Sequence, residues 1–589
     1  MYFRKRALER IARETSLYER DRGGDIRVCV VYPNVYRLAM ANLGFQSIFR
    51  IFESDPRVAA DRAFLPDSDE RAAIDAGAAP MQSFERADPL TDFDILAFSV
   101  AFETDYLNVL SILRMAGIPR SRELRRGRGY PLIVAGGSAI FLNPEPIADF
   151  VDLFLIGEGE EMAPEFIATF AAARVAGRAN PEPAAFAGIE GAYIPERFTP
   201  VYDESGRIAT VEYDGPGAPH VKRRLIRDLN RFSTASRILT EESVFGDMYL
   251  VEASRGCQWG CRFCAAGFMY RPIRYRSPER ILEEAARGLQ ERKVIGLVGA
   301  EMASVPGVAD IATAIADRGG RLSPSSLKAD CITPNLAAAL ARNGNRSVTV
   351  APEAGSERMR KVINKNLSEA EILRAAEMLI GGGVENLKFY FMLALPEEHD
   401  EDVLEIARLT GTILQRARAT KRAVGRVTVS LNPFVPKPWT PFQWDPMADA
   451  AAIKRKIALL RSALGKIGGA AIALDAESPR EAYFQTLVSR GDRRVGAILE
   501  RLDARRCVEP GAIWQELRAI RRERGADGAT LPDPDFYVTR QYTHDEVLPW
   551  DFIDHHIHKW FLLSERKKAH YEHQSKPCDV TRCTVCGAC

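Results

Sequence analysis

The 589-residue chain carries 80 lysines and arginines against 79 aspartates and glutamates, a formal net charge of +1, with 46% apolar and 27% charged residues. Single hydrophobic cores stop growing near ~250–300 residues, so a chain of this length calls for two or more domains. The near-zero net charge excludes a chain-wide bias toward nucleic acid or anionic lipid, and the short basic runs Lys222-Arg223-Arg224 and Arg521-Arg522-Glu523-Arg524 read as solvated helix faces.

In chain order, residues 1–24 read as a charged amphipathic helix without the apolar stretch of a signal peptide. No run of about 18 apolar residues follows anywhere, so no transmembrane helix is expected, and a cytoplasmic location is. Buried-strand patterns stand at Ile26–Tyr32, Ile95–Val100, Leu132–Ala135 and Leu153–Ile156, separated by helical stretches such as Tyr106–Met115. Alternation of this kind predicts a Rossmann-like, doubly wound parallel sheet over residues 25–219. Its strands end at Ser99, Gly136-Gly137 and Gly157-Glu158-Gly159-Glu160. Ligands of such sheets bind at the carboxyl ends of strands, where glycine lets them approach the backbone. Tyr193–Pro195, Thr199–Tyr202 and Ile208–Tyr213 suggest short strands and a hairpin around Asp203–Gly206, and residues 220–247 read as a basic linker.

A second βα series spans 248–449, with strands expected at Tyr249–Ala253, Val294–Val298, Ser326–Ala329, Ser347–Val350, Leu387–Leu393 and Val427–Leu431, and helices such as Pro278–Gln290 and Glu369–Ile380. Six such units predict a partial (β/α)6 barrel, whose chemistry would sit at the carboxyl ends of its strands. Residues 450–577 look helical, with helices at Ala450–Ile467, Arg493–Leu502 and Ile513–Arg524, and 578–589 is a cysteine-rich tail. The fold class is therefore α/β, with a helical C-terminal region.

Seven of the ten cysteines fall in two clusters, at 257–264 and 578–589. In a reducing compartment, clustered cysteines read as metal ligands rather than disulfides. Just after the first strand of the second series stands SRGCQWGCRFCAAGFMY, with the spacing Cys257-x3-Cys261-x2-Cys264. Three thiolates on one tight loop suit three irons of a cubane cluster and leave the fourth iron open, as catalysis needs. A zinc knuckle would require a fourth ligand from elsewhere.

This loop, with Phe263 before its last cysteine, resembles the signature of the radical S-adenosylmethionine (SAM) superfamily. The resemblance implies a [4Fe–4S] cluster on Cys257, Cys261 and Cys264 whose open iron binds SAM. It further implies reductive cleavage to a 5′-deoxyadenosyl radical and a reductant such as flavodoxin or ferredoxin. Gly299-Ala300-Glu301 resembles the family's Gly-Gly-Glu motif, which contacts the SAM amino group, with alanine replacing the second glycine. Ala351–Lys365 resembles a segment of cobalamin-linked members and offers Glu353 and Ser356 as SAM ligands; Phe263 is expected beside the adenine. Asn432–Trp444 (NPFVPKPWTPFQW) resembles a loop after the sixth strand, and packing of Trp439, Phe442 and Trp444 competes there with substrate contact. The N-terminal domain resembles the cobalamin-binding domain of one large class, so Ser99, Gly136, Gly137, Gly157, Glu158 and Gly159 would surround the nucleotide tail. The Asp-x-His-x-x-Gly motif is absent, so no histidine from it would ligate cobalt.

The tail reads Cys578-x4-Cys583-x2-Cys586-x2-Cys589. Four local thiolates close a site, so a second [4Fe–4S] cluster or structural zinc is expected, with iron favoured by the companion motif. His555 and His556 are placed on a helix leading into this tail, as surface or packing residues. Three functional readings compete. The first is a radical SAM enzyme coupled to methyl transfer from cobalamin. The second, a methylthiotransferase-like RNA-modifying enzyme, is opposed by an N-terminal domain whose lone cysteine is Cys29. The third is a non-enzymatic Fe–S scaffold or redox sensor. The substrate is not encoded in any readable pattern.

Overall fold

The computed structural model describes residues 2–20, 23–174, 180–217, 219–325, 327–420, 425–523 and 531–589. Ile26–Tyr32 (β1), almost entirely apolar, is the buried centre of the first sheet. Val58–Phe64 (β2), Ile95–Ser99 (β3), Leu132–Gly136 (β4), Leu153–Leu155 (β5) and Ala192–Tyr193 (β6) complete it. The order is β2-β1-β3-β4-β5-β6, parallel except for β6. This is a doubly wound arrangement in which the strand order reverses between β1 and β3, so a ligand crevice opens there. Helix Leu43–Glu53 flanks it, capped by the Asn42 side chain, which accepts from the Phe45 amide at 2.9 Å.

β2 has no counterpart in the sequence reading. All seven of its positions are buried, yet Asp61 and Arg62 sit in the middle and hide the apolar run. Both are satisfied internally. Arg62 pairs with Glu14 at 2.7 Å and Glu85 at 2.6 Å, and Asp61 accepts from the Glu85 amide at 2.8 Å. Phe198–Tyr202 (β7) and Ile208–Tyr213 (β8) form the expected hairpin.

The second sheet system holds Met248–Glu252 (β9), Val294–Val298 (β10), Arg321–Pro324 (β11), Ser347–Glu353 (β12), Asn386–Leu393 (β13), Val427–Pro433 (β14) and Ile472–Ala476 (β15). Neighbours pair in parallel in sequence order within β9-β10-β11 and β12-β13-β14-β15. A single parallel bridge, Leu327–Val350, joins the two sets. The result is an open arc of seven strands, since no pairing joins β9 to β15 among the described residues. The third strand lies earlier than Ser326–Ala329: it ends at Pro324, and Ala329–Cys331 is a 3-10 turn. Ser326 itself is outside the described residues. β15 was hidden inside a stretch read as helical because it is short and only half-buried.

Helices Ala450–Ile467, Pro479–Arg490, Val495–Ala504, Pro510–Glu523 and Lys559–His570 make the C-terminal region; Arg524, expected to end one of them, is not among the described residues. They lean on the first domain through buried polar contacts. Ser489 donates to Glu103 at 3.0 Å, and Asp503 takes Ser111 at 2.8 Å and Arg114 at 3.0 Å. Residues 220–247 carry two short strands, Val221–Lys222 against Ile553–Asp554 and Ile238–Leu239 against Thr15–Ser16. His555 and His556 follow that pairing in a bend of the chain, not on a helix. The positive φ of His556, 61°, interrupts any helix, which starts only at Lys559. No helix is long and apolar enough to cross a membrane among the described residues.

Candidate active site

β9 delivers the chain to the carboxyl edge of the arc, and a two-residue ribbon follows at once. Ser254 and Arg255 pair with Tyr275 and Arg274. This neck pins both ends of the cysteine loop. Gly256 (φ 85°) is required just inside it, because a Cβ there would lie 2.5 Å from the Tyr270 carbonyl. The Cys264 amide donates to the Cys261 carbonyl at 3.0 Å, and the Gly267 amide to the Cys264 carbonyl at 3.2 Å. The three thiols therefore share one tight turn. Burial, then their mutual repulsion, pushes the Cys257 thiol up to about 12, and burial raises Cys261 to about 11. Metal-free, these groups hold their protons, and a metal must expel them on binding. Among the described residues no three His, Cys, Asp or Glu side chains converge as ligands of one ion. A cubane asks for something else, one thiolate on each of several irons.

Two lysines, neither singled out in the sequence, stand by the loop. Lys365 is buried, pairs with Glu353 at 3.2 Å and pulls the Cys261 and Cys264 thiols downward. Lys328 lies 3.8 Å from the Trp259 ring centroid and pairs with Asp330. Both come from loops after strands of the arc, the one cue that points to them. Glu353 sits at a bulge ending β12 with φ 67°, a conformation non-glycine residues seldom take. The Glu301 carboxylate accepts from the Ala303 and Ser304 amides at 2.7 and 2.9 Å, and its charge reaches Cys257. Gly299 allows that loop to close on the neck, since a Cβ would be 2.5 Å from Ser254 Oγ. Ser254 Oγ is itself buried with no partner, an orphaned polar group beside the cysteines.

Other expected residues are placed differently. Ser356 Oγ caps helix Glu357–Val362 through the Met359 amide and donates to Asp402 at 2.5 Å. Phe263 packs against a cluster containing Ile363, Phe434 and Phe442. Trp439, Phe442 and Trp444 are buried, Trp439 edge-on to His555 at 4.8 Å. Packing, rather than open contact with a substrate, is their observed role. His555 Nε2–H donates to the Phe141 carbonyl at 2.7 Å, and burial lowers its pKa to about 3.

The first domain contributes a cavity of about 470 Å³ at the carboxyl ends of β3 and β4, within the size of small-molecule and cofactor sites. Ser99, Gly136, Gly137, Gly157, Glu158, Gly159 and Glu160 all line it. So do Arg255 and Tyr270, from the two ends of the cysteine loop. Ser47 Oγ, also in the lining, is buried and unpartnered. Two glycines have local reasons: a Cβ on Gly137 would lie 2.4 Å from the Val100 carbonyl, and one on Gly157 2.5 Å from the Arg224 amide. Glu158 is a structural tie. It receives Arg274 in two 2.7 Å bonds and the Ile226 amide at 2.8 Å. Arg255, two residues before Cys257, pairs with Glu160 at 2.6 Å and Glu252 at 2.9 Å. These charges lock the cavity wall to the neck of the cysteine loop.

The tail lies against the same loop. The Cys578 amide donates to the Gln258 carbonyl at 2.8 Å. Arg262, fully buried inside the cysteine motif, donates to the Val362 carbonyl at 2.7 Å, the His573 carbonyl at 2.7 Å and Glu565 at 3.1 Å. Cys578 and Cys589 are within hydrogen-bonding reach, and Cys583 and Cys586 are near enough to act on both by charge. Arg262 went unnoticed in the sequence, where nothing marks an arginine between cysteines as buried.

Comparison with known proteins matches residues 44–195 to the family described as radical SAM proteins, N-terminal, and residues 251–410 to the radical SAM superfamily. The uncharacterized protein MJ0966 of Methanocaldococcus jannaschii is 30% identical over 71% of this chain and 82% of its own length. The radical SAM methyltransferase TsrM of Kitasatospora setae, solved with cobalamin and a [4Fe–4S] cluster bound, superposes with a TM-score of 0.51 at 13% identity, covering 84% of this chain and 99% of that one. The cobalamin-dependent radical SAM enzyme OxsB, with aqua-cobalamin and SAM bound, covers 92% of this chain and 79% of its own at a TM-score of 0.45 and 14% identity.

Proposed function

Because the chain belongs to the radical SAM superfamily, we propose that it cleaves SAM reductively at Cys257, Cys261 and Cys264 and couples that cleavage to cobalamin-dependent methyl transfer. Cys257, Cys261 and Cys264 would hold a [4Fe–4S] cluster, which would supply the one-electron chemistry of SAM cleavage. The chain's own residues do the rest. The 254–255/274–275 neck fixes the loop, and the buried segment around Arg262 closes its outer side. Ser254 Oγ, Glu301 and the Glu353–Lys365 pair offer polar groups around the space that SAM would fill. Their charges suit the amino and carboxylate ends of that molecule.

Cobalamin, when bound, supplies a methyl carrier. The observation that supports its presence is the first-domain cavity, ringed by the strand-end residues and walled on one side by Arg255 and Tyr270. A group bound there lies next to the cysteine loop. The unpartnered Ser47 hydroxyl gives it a free hydrogen-bonding group in the lining. No histidine lines the cavity among the described residues, so cobalt would carry no imidazole from this wall. The tail thiols belong to the same reading, as a second [4Fe–4S] site. The test is absorption-monitored binding of hydroxocobalamin to the full-length protein. Wild type is expected to bind about one equivalent, and Ser47→Leu, which fills the cavity, at least ten-fold more weakly. Equal binding by both would remove cobalamin from this cavity.

A further inference from the structure

We propose that the cysteine tail is the port through which an acidic one-electron carrier protein reduces the radical cluster. This rests on the reading that Cys578, Cys583, Cys586 and Cys589 hold an Fe–S cluster.

The first observation is contact. A single hydrogen bond joins the Cys578 amide to the carbonyl of Gln258, the residue next to Cys257. A ligand of one site therefore touches the neighbour of a ligand of the other. Around this bond the two segments are held by buried groups. Asn364 donates to the Gly260 carbonyl at 3.0 Å and accepts from the Ser575 amide at 2.8 Å. Arg271 donates to the Gly267 carbonyl at 2.6 Å, lies 5.5 Å from the Phe561 ring centroid, and acts by charge on Cys578. Such over-determined packing fixes the separation between the two sites, which is what efficient electron transfer requires.

The second observation is access. Cys261 is buried and Cys257 and Cys264 are half-buried beneath the loop's own turns, whereas Cys589 is exposed at the surface. A protein donor reaches the tail first. The third is the surrounding surface. Trp560, Tyr571, Val580 and Val585 are four of the thirteen large apolar side chains the described molecule exposes, and all fall in the last thirty residues. Exposed apolar clusters rimmed by charge mark docking sites. The same stretch of chain carries Lys567, Lys576 and Arg582, all exposed and none in an ion pair among the described residues. Asp579 is the nearby acid, and its carboxylate is occupied by Thr581 at 2.6 Å; Glu572 is engaged by Arg358. Three exposed cations against the one unpaired side-chain carboxylate, Asp579, leave the surface of this stretch apolar and net positive, complementary to an acidic redox carrier. In the transfer the reduced carrier loses one electron, the tail cluster passes it on, and the radical cluster gains it. No bond forms or breaks and no proton moves.

The test uses the full-length, anaerobically reconstituted protein and reads, by freeze-quench paramagnetic resonance, the reduced-cluster signal that SAM perturbs. Reduced flavodoxin and dithionite are compared as donors. The variants are Lys567→Glu/Lys576→Glu/Arg582→Glu and Cys583→Ser/Cys586→Ser. Flavodoxin-driven reduction is expected to slow at least ten-fold in both, and dithionite-driven reduction of the charge-reversed protein to stay within two-fold. Flavodoxin-driven reduction at the wild-type rate in the charge-reversed protein, with iron content intact, overturns the proposal. The underlying reading fails separately, if the Cys583→Ser/Cys586→Ser protein loses zinc or no metal instead of about four irons.

Discussion

The two cysteine clusters have nearly the same composition and opposite surroundings. The loop at 257–264 is built into the arc: a ribbon closes its neck, lysines flank it, and its thiols are raised by burial. The tail at 578–589 has little core of its own and borrows one, with Cys586 buried while Cys583 and Cys578 stay half-exposed and Cys589 lies open. Three thiolates in a preformed, dry turn leave one metal position for a substrate, whereas four on a loose segment satisfy a metal completely. Spacing alone distinguishes open from closed. Only the fold shows that the tail is fastened to the 257–264 loop, through the Cys578 amide and the Gln258 carbonyl.

The sharpest way to break this contrast is at Arg262, which belongs to both regions. Arg262→Ala removes one of three partners of the buried Glu565 carboxylate, which keeps Lys568 and Ser575, and empties three backbone bonds, and hydrogen bonds of a charged group are worth about 1.5–3 kcal/mol. Denaturant unfolding should show a loss of that order, and reconstituted protein should hold less iron at the 257–264 site. If Arg262→Ala unfolds like wild type and keeps all its iron, the two regions are not mechanically joined.

A milder change concerns the tail alone. Cys583→Ser/Cys586→Ser should remove about four irons per chain while SAM cleavage driven by dithionite continues. Loss of about one zinc would make the site structural. Iron and zinc analysis of the purified variant distinguishes these outcomes.

The smallest effect lies at the joint that carries the tail. Burial, followed by the charge of Arg223, holds the folded His555 pKa near 3, against 6.5 in the unfolded chain. Between those values the unfolded state binds the extra proton, so stability falls as pH drops below 6.5 and is fully retained above it. The loss should reach about 1.4 kcal/mol at pH 5.5, one unit below the unfolded value, since each pH unit of full mismatch is worth about 1.4 kcal/mol. His555→Gln should flatten that slope in urea titrations at pH 5.5 and 7.5. An unchanged slope would mean that the ring is not the group responsible.

Much of this architecture is legible in the chain. Strands such as Ile26–Tyr32 and Val294–Val298 announce themselves as apolar runs, and the cysteine spacing names its chemistry before any fold is known. The strand-end residues from Ser99 to Gly159 were identified one by one, and the fold gathers them around one cavity. What stayed hidden depends on long-range pairing. β2 carries Asp61 and Arg62 in its centre because Glu14 and Glu85, far away in sequence, satisfy Arg62, and the Glu85 amide satisfies Asp61. Lys328, Lys365 and Arg262 look like surface cations until their partners are known. The third strand slipped because Leu327, which makes a single bridge to Val350, mimics the core of a strand that ends earlier.

The central claim is that Cys257, Cys261 and Cys264 support reductive cleavage of SAM. It is tested most directly by incubating anaerobically reconstituted, dithionite-reduced protein with SAM and measuring 5′-deoxyadenosine by chromatography. Wild type should form 5′-deoxyadenosine, and the Cys257→Ala/Cys261→Ala/Cys264→Ala protein, with its tail intact, should form none. Cleavage by the triple variant at the wild-type level would contradict the account.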